Sequence, residues 1–149
     1  MYWTDLELDQ IVSDEALQQA AAATFGISVA ATAVADLRTP GAHDPWAPGV
    51  RLVLERWRQP GEFPLHLTII LRGDDLTCQV NTDAATVARL GVICQRLGCR
   101  GLTGAGEEDP YAAILFQPTG GVEAVQLDGD ALSDGRLALA PSLPLPAHA

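Results

Sequence analysis

The chain has 149 residues, 48% of them apolar, enough for one hydrophobic core and too few for two. Nineteen acids stand against nine bases, every base an arginine, for a net charge of −10. That balance works against nucleic acid or an anionic membrane as partner, because both are held by clustered cations.

No apolar run approaches the roughly 18–20 residues that a membrane-spanning helix needs. The acidic start, Met1 to Asp5, lacks the positive region of a secretory signal. The first element to emerge from the pattern is a helix over residues 13–25. Ser13 caps it, Asp14 and Glu15 suit the positive end of its dipole, and Gly26 stops it. Leu17, Ala20, Ala21, Thr24 and Phe25 mark its apolar face. Residues 27–38 are β-branched and read as a strand with an irregular start. The Pro/Gly-rich stretch 39–49 reads as a loop.

Two extended runs follow, Val50 to Arg58 and Leu65 to Arg72, joined across Pro60-Gly61. In the second, Leu65, Leu67, Ile69 and Leu71 alternate with His66, Thr68, Ile70 and Arg72, which predicts one core face and one mostly polar face. Residues 76–80 read as a short strand or an irregular approach. A second helix spans 82–97, capped by Asn81 or Thr82 and stopped at Gly98. Gly91 in its middle implies close contact with a sheet. Strands at 100–103, 112–117 and 122–127 follow, the last two around the turn Pro118-Thr119-Gly120-Gly121.

These elements predict a single α+β domain over residues 1–140 and a Pro-rich tail over 141–149. In the order α-β-β-β-α-β-β-β, two helices pack on one face of a largely antiparallel sheet of about five to six strands. The opposite face, half exposed, is the expected place for function.

Catalytic and cofactor signatures are absent. No G-x-S-x-G elbow occurs, no G-x-G-x-x-G follows a strand and opens a helix, and a chain without lysine has no Walker lysine. The acidic run Asp128 to Gly135 lacks an oxygen ligand at Leu132 and a closing glutamate. It therefore reads as a solvated turn rather than a calcium loop. Cys78, Cys94 and Cys99 fit neither zinc nor redox spacing and read as small buried thiols of a reducing, cytoplasmic setting. No metal and no cofactor is expected. A Cys78–His66 couple requires their strands to pair.

The most unusual local feature is Arg56-Trp57-Arg58, since Trp and Arg dominate interface hot spots. With Trp46 and the acidic loop residues Glu107, Glu108 and Asp109, it forms the candidate partner-binding set. His43, Asp44 and His66 form a candidate ligand-binding set. The function expected is a non-catalytic acidic module that binds a basic protein. In size and composition the chain is similar to immunity proteins that plug basic toxins. In coarse element order it is also similar to small acidic secretion chaperones, which dimerise, although Pro141, Pro144 and Pro146 exclude the C-terminal helix those proteins need. A small-ligand protein or enzyme with a dispersed site around His43 and His66 is the third alternative.

Overall fold

The computed structural model describes residues 1–36, 44–106 and 108–141. Its seven strands form one mixed sheet in the order β2-β3-β4-β1-β5-β6-β7. They are β1 (Tyr2–Leu8), β2 (Thr32–Asp36), β3 (Leu52–Arg58), β4 (Leu65–Leu71), β5 (Gly101–Gly104), β6 (Ala112–Phe116) and β7 (Val122–Gln126). The helices are α1 (Asp14–Phe25), α2 (Asp74–Thr77), α3 (Asp83–Leu97) and α4 (Gly129–Ser133). No helix among the described residues is long and apolar enough to cross a membrane.

The sheet is larger than the sequence predicts, and its central strand is one the hydrophobic pattern did not single out. β1 pairs antiparallel with β4 along its whole length, Tyr2 opposite Leu71 to Leu8 opposite Leu65, and with β5 at Glu7 and Leu8. Its even residues face the helices, and Leu6 and Leu8 are fully buried there, each worth about 1.5–3 kcal/mol of transfer free energy. Asp9 closes the strand: its carboxylate accepts from the Arg100 backbone N–H and from Arg100 Nε, both at 3.0 Å.

The sheet is largely antiparallel with one exception: β2 and β3 run parallel, Thr32 beside Leu52. A parallel pair needs a connection of a dozen residues or more, and residues 37–51 supply it. β2 starts later than predicted, after a 3-10 turn at Val29–Ala31. Residues 76–80 are no strand: they continue α2 into a 3-10 turn at Cys78–Val80. A Cys78–His66 couple is thereby excluded, and the Cys78 thiol points instead to the Asp75 carbonyl at 3.3 Å.

The two long helices lie where expected. Ser13 Oγ accepts from the Ala16 N–H, Thr82 Oγ1 accepts from the Ala85 N–H, and Gly26 and Gly98 end the helices in the left-handed conformation. Leu17, Ala21 and Phe25 of α1 and Leu90, Ile93 and Cys94 of α3 share one core with Leu6, Leu8, Leu54, Leu67 and Ile69 of the sheet. Both helices therefore cover one face, and the Phe116 ring lies 3.5 Å from where a Cβ on Gly91 would sit.

The opposite face is divided. Over β5–β7, a second core joins Leu102, Ala113 and Leu115 to Phe63, packed under Val125, Leu127, Leu137 and Leu139. The cover is the segment after β7. The run Asp128 to Gly135, predicted as a solvated turn, contains helix α4, capped where Asp128 Oδ1 accepts from the Asp130 and Ala131 N–H groups. Leu137 and Leu139 then bridge back to Gly61 and Leu127, and the Glu62 N–H donates to the Leu137 carbonyl at 2.8 Å. This clasp leaves the rest of the face, over β3, β4 and β1, without a helix or strand above it among the described residues.

Candidate functional site

Register arranges the outward side chains of β3, β4 and β1 in three rungs. Trp57, His66 and Glu7 form the first, and Glu55, Thr68 and Asp5 the second. Val53, Ile70 and Trp3 form the third. Strands lie about 4.8 Å apart, so the members of each rung touch. Trp3 is 64% exposed, whereas Val53 is fully buried beside Ala33 and Ile70.

His66 is the centre of the arrangement. Its ring stacks on Trp57, centroids 3.8 Å apart and planes 17° from parallel. Nδ1 is hydrogen-bonded to Glu7 Oε1, and Nε2 lies 3.4 Å from both Asp5 Oδ1 and Thr68 Oγ1. Thr68 donates to Asp5 Oδ1 at 2.7 Å. Burial pushes the imidazole pKa down, but the Glu7 hydrogen bond and the negative charges of Glu7 and Asp5 outweigh it and leave the value above 6.5. Charge stabilised by two carboxylates is the physical cause.

The face carries three carboxylates, Asp5, Glu7 and Glu55, around this one imidazole. A cleft of about 140 Å³ opens beside Glu7, bounded by Leu102, Gly104, Ala113, Leu127 and Leu137 of the clasp side. Arg72 lies at the far end of β4, where its guanidinium sits 3.7 Å over the Trp46 ring. What this chemistry offers is an aromatic and anionic surface with a single proton-exchanging group.

The predicted partner-binding set is not brought together. Arg56 points to the helix face, where Nε lies 2.6 Å from Asp14 Oδ1 and Nη1 lies 3.6 Å from Asp36 Oδ2. It ties α1 and β2 to β3 and is not offered to a partner. Alternation puts Arg58 on that same face, away from Trp57. Trp46 packs against Arg72, and its backbone N–H donates to Asp44 Oδ1 at 2.9 Å, which makes Asp44 a turn-former. Glu108 and Asp109 are exposed in the loop between β5 and β6, toward the end where β1 begins. There the Asp109 carboxylate accepts from the Tyr111 N–H. Glu107 and His43 lie outside the described residues.

Of the residues singled out by sequence, Trp57 and His66 are united, although they were assigned to different sets. Asp5, Glu7 and Glu55 were missed. The signal for the first two is the alternation of Tyr2, Thr4, Leu6 and Leu8 with Trp3, Asp5 and Glu7, a period-2 pattern acidic enough to pass as a leader.

The cysteines divide as well. Cys94 and Cys99 are buried as predicted, and Cys78 is exposed. Burial, first of all, pushes the Cys94 thiol to about 12 and the Cys99 thiol to about 11. Among the described residues no group of three or more His, Cys, Asp or Glu side chains is arranged to hold a metal ion. No family model, no curated protein and no solved structure matches this chain.

Proposed function

We propose that this protein is a non-catalytic binding module, of the immunity or antidote kind, that docks a basic protein on the half of its sheet over which no described helix or strand lies. The observation that carries the reading is the division of the outward face. The clasp buries an apolar half, while the other half carries Trp3 and Trp57 with Asp5 and Glu55 in register, and Glu7 nearly buried against His66. Aromatic anchors within an anionic field suit a cationic partner surface, for which charge complementarity speeds encounter and selects the partner. The net charge of −10 extends that field over the molecule.

The test is affinity capture from source cells with wild-type protein and with Trp57→Ala and Asp5→Arg variants. A basic protein retained by the wild type, lost from both variants and released by added salt supports the reading. A partner retained equally by all three, or indifferent to salt, refutes it. A second reading, a small-ligand or dispersed catalytic site around His66, is favoured by the cleft beside Glu7. A thermal-shift response to a small molecule that His66→Gln abolishes would select it over the first.

A further inference from the structure

Both ring nitrogens of His66 face a carboxylate: Nδ1 meets Glu7 Oε1 and Nε2 meets Asp5 Oδ1. A neutral imidazole has one N–H and one lone pair, whereas the imidazolium has two N–H donors. Two carboxylates placed at the two nitrogens are satisfied together only by the protonated ring. When one proton leaves, a lone pair faces an anion, and one contact must yield.

Burial decides which contact that is. The side chains of His66 and Glu7 are 12% and 13% exposed, and Asp5 is 56% exposed. Glu7 has little room to move and its hydrogen bond is the closer one, so it keeps the remaining N–H on Nδ1. Thr68 sits between the two alternatives: its hydroxyl donates to Asp5 at 2.7 Å and lies 3.4 Å from Nε2. Once Nε2 is a lone pair, that hydroxyl can turn to donate to it, and Asp5 loses both of its partners.

We infer that His66 is a proton-operated latch on Asp5: the protonated ring holds Glu7 and Asp5 together, and loss of the Nε2 proton to water frees the Asp5 carboxylate for a cationic group of the partner. Only the last step rests on the reading of this face as a docking surface. The other groups around the ring do not compete. β3 brings Trp57 and, one rung away, Glu55; β4 brings Thr68; β5 brings Leu102 beside Glu7. Arg72, three outward positions along from His66, is placed over Trp46. The ring holds its proton more firmly than an ordinary histidine because Glu7 and Asp5 outweigh its burial, so release comes above the usual imidazole value.

NMR of the full chain between pH 5 and 9 tests the latch. The His66 ring signal is identified by its loss in His66→Gln, and the Asp5 carboxyl carbon by its loss in Asp5→Asn. The two signals are expected to move with one shared midpoint above 6.5, and Glu7→Gln to lower the midpoint of His66. An Asp5 signal that ignores the His66 midpoint overturns the latch in the unmodified protein, whatever the variants do. A second arm uses hexaarginine as the cationic probe. Its affinity is expected to rise about two- to fivefold from pH 6 to pH 8, and to stay flat in His66→Gln. Equal affinity at both pH values overturns the release to a partner. No binding at either pH instead overturns the docking reading, and the shared midpoint still decides the latch.

Discussion

Gly61 is the position where one added methyl should separate the two halves of the sheet face. It adopts a φ of +113°, and a Cβ there would lie 2.4 Å from the Leu137 carbonyl oxygen and 2.7 Å from its nitrogen. These are backbone atoms, so no rotamer change relieves the overlap. In Gly61→Ala the positive φ costs about 1–3 kcal/mol. Displacing Leu137 also weakens the hydrogen bonds from the Glu62 N–H to the Leu137 carbonyl and from the Leu137 N–H to the Pro60 carbonyl, each worth about 0.5–1.5 kcal/mol. A total of about 2–6 kcal/mol follows, toward the lower end if the hydrogen bonds only lengthen. The control is Gly98→Ala, where φ is also positive (+67°) but nothing lies within 4 Å of the new Cβ, so about 1 kcal/mol is expected. Urea unfolding followed by tryptophan fluorescence measures both, and amide exchange reports whether Leu137 and Leu139 have come loose. The reasoning is refuted if Gly61→Ala costs no more than Gly98→Ala, or if the Leu137 and Leu139 amides stay as protected as before.

Three further outcomes can be measured on the same protein. Gly101→Ala places a Cβ 2.3 Å from Cys94 Sγ in the main core and should destabilise by about 1–3 kcal/mol. Adding Cys94→Ala removes the obstructing sulfur, so the double variant should unfold at higher urea than the two separate losses would sum to, and simple additivity would contradict the contact. Native folding raises the proton affinity of His66. The stability it contributes is therefore fully present below pH 6.5 and lost as pH rises through the raised native value. Urea midpoints of wild type, compared with those of His66→Gln, should fall across that window, and parallel curves would count against the contacts of Glu7 and Asp5 with the ring. With Cys94 and Cys99 buried and their thiols pushed to about 12 and about 11, a thiol reagent at pH 8 should label Cys78 alone in native protein. Labelling of all three without denaturant would show a looser core.

Much of this fold was legible wherever a local pattern and its punctuation agreed. Both long helices show their caps, glycine stops and apolar stripes in the residues themselves. The alternation from Leu65 to Arg72 placed His66 on the outward face, and parity along β3 put Trp57 opposite Leu52 and Leu54. Local signals failed where structure depended on distant pairing. Tyr2 to Leu8 is as long as β4 but carries Asp5 and Glu7 outward and Thr4 inward, which weakens its alternation, yet two neighbours remote in sequence, β4 and β5, make it the centre of the sheet. The parallel alignment of β2 and β3 is likewise a choice between registers that residues 27–58 do not encode locally.

The sequence by itself therefore determined the α+β class, the acidic charge, both main helices and the outward direction of His66 and Trp57, because each depends on spacing within one segment. Tertiary structure alone decided which carboxylates meet His66, that Arg56 is spent on Asp14 and Asp36, and that the C-terminal segment clasps one half of the sheet while no described helix or strand lies over the other. Those outcomes come from contacts between residues tens of positions apart, Glu7 with His66 and Gly61 with Leu137 among them. Such pairings are selected by the free energy of the whole packed chain, which no local window contains.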